Sequence, residues 1–208
     1  MIYTKKDIEQ LDRISRLKII NAVTGIKPAN LIGSINSDGL SNLAIFSSVV
    51  HLGSNPALLG FISRPQTPEV GHTLRNIKEN GSYTINHIHP NFVKNAHYTS
   101  AKFSAEESEF ELCGLTQEYQ KDILAPFVKQ STFKMGMQFV ETLDIKHNGT
   151  VMVIGEIQKL IIDNSAMVDD DIDLQASNSV GISGLNSYYE LKKIAQFPYA
   201  RIEELPEF

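Results

Sequence analysis

Along the chain the apolar positions change their period several times. Ile8, Leu11, Ile14 and Leu17 recur at helical spacing, which predicts a short amphipathic helix over residues 5 to 17. From Ile19 to Ser63 the apolar runs become short and rich in Ile, Val, Leu and Phe. Turn clusters separate them at Gly25 to Asn30, Ser37-Asp38-Gly39 and Gly53-Ser54-Asn55-Pro56, as antiparallel strands joined by short loops require. The clearest hairpin spans Asn30 to Phe46, with Asp38-Gly39 supplying the positive φ values of a tight turn.

Between Pro68 and Gly81 the helical period returns: Leu74 and Ile77 share a side, Thr73 can cap the start, and Gly81 suits the stop. A strand over Ser82 to His87 leads to Pro90, which can open a second helix containing Phe92, Val93 and Ala96. The charged stretch Lys102 to Glu111 predicts a solvated excursion. Gly136 to Ile145 and Thr150 to Asp163 flank Asn148-Gly149 as a second hairpin. No internal repeat is visible. Several strands, two inserted helices and no regular β-α alternation predict a mainly β, α+β chain rather than a doubly wound sheet. The expected organisation is one domain over residues 1–208, with a core of about 18–165 and a C-terminal extension of 166–208.

Composition narrows the function classes. At 208 residues, 42% hydrophobic and 21% charged, the sequence is ordinary for a globular protein. A net charge of -5 argues against a phosphate-backbone footprint, so nucleic acid is not an expected partner. No apolar stretch approaches the roughly 20 residues that cross a bilayer, and the charged, amphipathic N-terminus has no apolar h-region; the expectation is a cytoplasmic protein without a membrane role. The single cysteine, Cys113, can form no intrachain disulfide and reads as packed.

Two stretches carry candidate chemistry. In Gly39 to Val50, Asn42, Ser47 and Ser48 offer donors and acceptors for a heteroaromatic edge or a polyol, and Phe46 a flat apolar wall. The same serines would equally end a strand and begin a turn. In Phe61 to Ile77, a helix start with Arg64, Thr67, Thr73 and Arg75 is suited to phosphate, although capping by Thr73 and two solvated arginines would give the same pattern. His87, His89 and His97 lack a carboxylate or cysteine partner to complete a metal site, so none is expected there; solvated or interface histidines are the better reading. The Asp169-Asp170-Asp171 run lacks EF-hand spacing and reads as a solvated acidic turn. Gly181-Ile-Ser-Gly lacks the spacing of a nucleophile elbow.

The order of several segments is more specific than any one of them. Ser41-Asn-Leu-Ala-Ile-Phe-Ser-Ser, Asn55-Pro56-Ala-Leu-Leu-Gly-Phe, and His72-Thr-Leu-Arg-Asn-Ile-Lys-Glu-Asn-Gly-Ser-Tyr-Thr-Ile-Asn resemble the flavin reductase-like, FMN-binding split-barrel family. Thr99-Ser-Ala-Lys-Phe, Glu109-Phe-Glu-Leu-Cys-Gly-Leu-Thr and Thr150-Val-Met-Val-Ile-Gly-Glu-Ile look like its later segments. The resemblance implies a six-stranded Greek-key split barrel with inserted and flanking helices. It also implies a homodimer with FMN in a groove near the subunit interface.

On that likeness Asn42, Ala44, Phe46, Ser47 and Ser48 would line the isoalloxazine ring and ribityl chain, and Arg64 and Thr73 would lie towards the phosphate. Thr99 and Ser100 would approach the flavin, across the dimer. The implied activity is NAD(P)H-dependent flavin reduction: NADH or NADPH would bind transiently in the flavin groove and pass hydride to flavin N5, with no catalytic side chain required. A flavin-using oxygenase or another electron acceptor would follow. An FMN electron carrier of the ferric-reductase type, or a non-catalytic flavin-binding protein, would use the same groove.

Overall fold

The computed structural model describes residues 1–65, 67 and 71–207. In chain order its elements are helices α1 (Lys5–Gln10) and α2 (Arg13–Ala22), then strands β1 (Lys27–Pro28), β2 (Asn30–Ile35), β3 (Ser41–Phe46), β4 (Val50–Ser54) and β5 (Ala57–Ser63). Helix α3 (His72–Asn80), strand β6 (Ser82–His87), and helices α4 (Val93–Tyr98) and α5 (Glu109–Leu112) follow. Strands β7 (Gln117–Gln120), β8 (Ile123–Val128), β9 (Phe133–Ile145) and β10 (Thr150–Ile162) come next. The chain closes with β11 (Met167–Val168), β12 (Asp171–Ile172), β13 (Val180–Ser183) and β14 (Ser187–Glu190). Among the described residues no helix is long and apolar enough to cross a membrane.

The opening helix expected over residues 5 to 17 is divided in two. Asp12 caps α2, its Oδ1 accepting from the amides of Ile14 at 2.9 Å and Ser15 at 3.1 Å, and so ends α1. Neither helix contains a buried residue, so the stripe of Ile14 and Leu17 does not face the core. The helix expected from Pro68 begins at His72 behind Gly71 at φ 93°, not behind a Thr73 cap; residues 68–70 lie outside the described ones. The Asp38-Gly39 hairpin forms, but only Gly39 has positive φ, and the Asn36 side chain closes the turn by accepting from the Leu40 amide at 2.8 Å. At Asp169-Asp170 both φ values are positive, 51° and 61°, giving the two-residue turn between β11 and β12.

The main sheet is antiparallel and runs in the order β3-β2-β6-β9-β10-β5-β4. It has seven strands where six are expected; β4 is the addition, because residues after Ser48 fold back on β5 at the Asn55-Pro56 turn. Five places apart in that order, β3 and β5 nonetheless touch: the Phe46 and Phe61 rings meet edge to face with centroids 4.9 Å apart. The sheet is therefore curled on itself. Strand register then decides what lies inside. Ile32 on β2 is opposite Ala44 on β3 and Ile85 on β6, and Ile85 is opposite Met135 on β9. Ile32, Ile85 and Met135, with Phe61, Tyr83, Met137 and Val153, and with Leu74 and Ile77 from α3, make the inner core.

The opposite face of β2, β3 and β6 is covered as well. Leu31, Leu43 and Ile88 pack against Phe92 and Ala96 beside and within α4, Phe110 of α5, Val128 of β8, and Val180 and Ile182 of β13. Strand β8 crosses closely over Gly33, where a side chain would strike the Pro126 carbonyl. Thr84 donates to that carbonyl at 2.7 Å, and Asn86 accepts from the Val128 amide at 2.9 Å. Each buried backbone group thus finds a partner from β6. The C-terminal segment joins this layer through a small sheet ordered β1-β13-β14.

Inside the barrel, Tyr83 reaches across to Gly155 of β10, where an added Cβ would run into the phenol oxygen. That oxygen is buried and has no hydrogen-bond partner among the described residues, and burial raises the phenol pKa. Gly155→Ala is therefore expected to destabilise the protein by roughly 1–3 kcal/mol, the cost of an overpacked core. Adding Tyr83→Phe should recover part of that loss by removing the clashing oxygen. Urea denaturation of the single and double variants checks this; an additive double variant would show that the two side chains do not meet.

Candidate functional site

Strand alternation sends Asn42, Ala44 and Phe46 to the inner side of β3, with Leu43 and Ile45 on the outer side. Being an edge strand, β3 leaves part of its backbone unpaired by the sheet, and α3 and the loop beyond it lie alongside. Three hydrogen bonds at two points fasten the stretches singled out by sequence. At one end, the Asn42 Nδ2 donates to Thr73 Oγ1 at 3.1 Å, both residues being buried. At the other, the Ser48 hydroxyl accepts from the Ile62 amide at 3.0 Å and donates to the Ile62 carbonyl at 3.4 Å.

Asn42 is thereby held against Thr73 at the start of α3, and Ser48 against Ile62 at the end of β5. Ser47 is half-buried between those clasps, and Arg64 is exposed just beyond β5, next to the Ser63 hydroxyl that points to its carbonyl. Phe46 is also half-buried, with its edge committed to Phe61. Among the described residues no side chain caps α3, so its first amides point into this region with the positive end of the helix dipole. Of the expected phosphate stretch, Gln66 and residues 68–70 lie outside the described ones.

A groove of about 260 Å³ opens next to the Asn42–Thr73 bond, lined by Ser41, Asn42, His72, Arg75, Asn76 and Glu107 among others. Burial, with the Arg75 charge beside it, lowers the pKa of His72 and favours a neutral imidazole there. The volume is just short of the roughly 300 Å³ at which small-molecule pockets begin.

Thr99 and Ser100 are not brought to these stretches within one chain. They end α4, which packs against the other face of β3, and their hydroxyls are turned to the Ala96 and His97 carbonyls at 2.8 and 2.7 Å. Sequence reasoning missed Glu109, placed in a solvated excursion yet buried in α5. Its Oε2 accepts from the Leu43 amide at 2.8 Å, blocking the open edge of β3, and desolvation raises its pKa. Ser108 adds a contact with Ser41 at 2.8 Å. The buried Phe110 beside Glu109 was the available signal, since a fully solvated loop has no use for it.

The histidines are not solvated either; they hold the C-terminal segment. His87 pairs with Ser179 at 3.0 Å and stacks on Phe133 at 3.9 Å between centroids. His89 Nε2 accepts from the Thr132 amide at 3.0 Å, which leaves Nδ1–H to donate to the Asn178 carbonyl at 3.0 Å. His97 pairs with the Tyr188 hydroxyl at 3.0 Å.

The family model for the flavin reductase-like domain matches residues 26–174, and the chain belongs to that family. A protein of Shewanella frigidimarina, assigned to the flavin reductases with a split barrel domain, is 47% identical. Its structure superposes with a TM-score of 0.92, covering 96% of this chain and all of that one. Nitrilotriacetate monooxygenase component B from Bacillus cereus shares the fold at 19% identity and a TM-score of 0.83, over 95% of this chain and 98% of its own. An uncharacterised Aquifex aeolicus protein is 24% identical over 70% of this chain and 81% of its own. The curled sheet is thus the split barrel of the flavin reductases.

Burial lowers the His87 pKa to about 4, with the neighbouring His89 adding to the shift, and burial also lowers that of His89. Unfolding frees both imidazoles to take protons near pH 6.5, so the stability they confer is complete above that pH and is lost as pH falls towards 4. For His87 the loss is at most on the order of 3 kcal/mol. Denaturation midpoints measured from pH 7 to 4.5 should fall less steeply in His87→Gln than in the parent protein. Parallel curves would remove His87 from the acid response.

Proposed function

We propose that FMN binds where residues 42–48 meet Ile62, Arg64 and the start of α3, and that the protein works as an NAD(P)H-dependent flavin reductase. The observation that carries this reading is the double fastening, Asn42 to Thr73 and Ser48 to Ile62, which presents amide, hydroxyl and backbone groups beside a helix start. This donor set fits a heteroaromatic ring carrying a polyol and a phosphate.

Asn42, Ala44, Phe46, Ser47 and Ser48 face the ring and ribityl chain. The hydroxyls of Ser48 and Thr73 are already bonded to protein, so their part is to fix the backbone whose free groups meet the ligand. Arg64 and the first amides of α3 hold the phosphate, a dianion well matched to a guanidinium. When bound, FMN would supply the redox chemistry, hydride acceptance from NADH or NADPH. The protein's contribution is orientation: holding two rings at near-reactive distance raises their effective molarity by orders of magnitude.

The shallow groove within one chain favours a homodimer in which the second copy completes the site and brings its Thr99 and Ser100 to the flavin. The Bacillus cereus neighbour, being component B of a monooxygenase, supports a flavin-using oxygenase as acceptor.

Titration with FMN, followed by absorbance and fluorescence, tests the binding. Arg64→Ala should weaken FMN by about 10- to 100-fold while leaving riboflavin, which lacks the phosphate, nearly unaffected. Protein that neither carries FMN nor takes it up at micromolar concentration would defeat the proposal. NADH and NADPH oxidation with added free flavin then separates uses of the site: saturation in free flavin marks a reductase, and a retained flavin reduced only by a protein donor marks a carrier.

A further inference from the structure

Both ends of the chain carry apolar surface that the chain itself does not cover. Helix α2 has ten residues and none is buried; Ile14, Leu17 and Ile20 are between 41% and 65% exposed. A helix this short is marginal in water unless an apolar face is packed. After Leu191 the tail is held at Lys193, which bonds Asp173 and Gln175, yet its apolar residues Ile194, Phe197, Tyr199, Ile202 and Leu205 are between 64% and 96% exposed. The flavin reductase-like domain, at residues 26–174, includes neither segment.

The two segments suit each other. Within Arg13–Ala22 the charges are Arg13, Arg16 and Lys18, with no carboxylate beyond the capping Asp12. The carboxylates of the tail cluster in Ile202-Glu203-Glu204-Leu205-Pro206-Glu207, whereas its cations, Lys192, Lys193 and Arg201, all precede this stretch. A 3-10 turn at Ile202–Glu204 sets Ile202 and Leu205 three residues apart, on one side. Glu204 also meets Arg201 at 3.5 Å, an exposed pair that competes weakly. The segments leave the body close together, since β1 follows α2, β14 precedes the tail, and only β13 separates them. Yet they do not cover one another within the chain, since the apolar side chains of both are exposed.

We infer that the two terminal segments are exchanged between copies, the apolar tail of each chain, with its acidic stretch 202–207, lying on α2 of a second copy. Counting 150–250 Å² for each aromatic and less for each aliphatic, the five tail side chains bring on the order of 700 Å². That is close to the roughly 800 Å² per partner of a standard interface, before α2 is added. The exchange gives the proposed homodimer a clasp outside the barrel; it depends on dimerisation and not on flavin.

Sedimentation of full-length variants tests the clasp. Arg13→Glu, Arg16→Glu and Lys18→Glu together should weaken the dimer about tenfold or more, and so should Glu203→Lys, Glu204→Lys and Glu207→Lys. Combining both sets in one chain should restore it. All six positions are on the surface, so circular dichroism should confirm intact folding. In parallel, Leu17→Cys and Leu205→Cys chains, mixed and oxidised, should give a covalent dimer that neither gives alone. An unchanged dimer constant, an absent crosslink, or a Leu17→Cys/Leu205→Cys double variant that closes within one chain would overturn the exchange. The first of these would leave the proposed homodimer standing on its barrel contacts.

Discussion

The hydroxyl of Ser48, bonded to both backbone groups of Ile62, joins the end of one edge strand to a strand near the other edge of the same sheet. Below it Phe46 meets Phe61, so the join is polar at the rim and apolar within. Without this closure Phe46 and Phe61, and Ser48 and Ile62, would lie on remote strands of an open sheet. With it they are in contact. Closure also explains how the sheet manages its open edge. A bare β3 would present unpaired amides to any other strand. Here Glu109 occupies the Leu43 amide, and β3 is left accessible chiefly on the side where the proposed site lies.

Much of this could be read from the sequence because alternation along short strands is a local property. The hairpins at Asp38-Gly39 and Asn148-Gly149 are where turn chemistry puts them, and Gly81 ends its helix at φ 70°. The juxtaposition of Asn42 with Thr73 was only implied by resemblance, since the bond spans 31 positions and no local pattern encodes it. Where local rules failed, a competing interaction won. Thr73 has the chemistry of a cap, but its hydroxyl is taken by Asn42, and Gly71 starts the helix instead. The strands β7 and β8 escaped notice because Gln117 to Gln120 has no apolar alternation; tertiary contacts at Gly33, Thr84 and Asn86 hold that hairpin down.

The histidines teach a related lesson about polar residues in a double-layered sheet. Their spacing suggested little beyond the absence of a metal set. Their role emerges only from partners some 90 positions away, at Asn178, Ser179 and Tyr188. A short imidazole can satisfy a backbone amide and a carbonyl together, as His89 does between Thr132 and Asn178. Such contacts fix position with little apolar area, which suits a segment too rich in Ser, Asn and Gly to bury much of its own. The covering layer over β2 and β3 is therefore packed like the inner barrel, but its C-terminal segment is also pinned by the neutral imidazoles of His87 and His89.

That arrangement bears on how the proposed site can work. A barrel wall backed by a packed core on one side and a polar-stapled layer on the other is stiff, and stiffness is what a site needs when its chemistry comes from a bound ring rather than a side chain. The groups along residues 42–48 are amides, hydroxyls and an aromatic edge, suited to orientation more than to proton transfer. Glu109, the buried carboxyl nearest to them, is spent on the Leu43 amide at the outer edge. On the proposed function, rate would follow from geometry: any change that loosens Ser48 from Ile62, or Asn42 from Thr73, would shift one stretch against the other. Because effective molarity falls steeply with misplacement of about 1 Å, such a change would act on turnover even where binding survived.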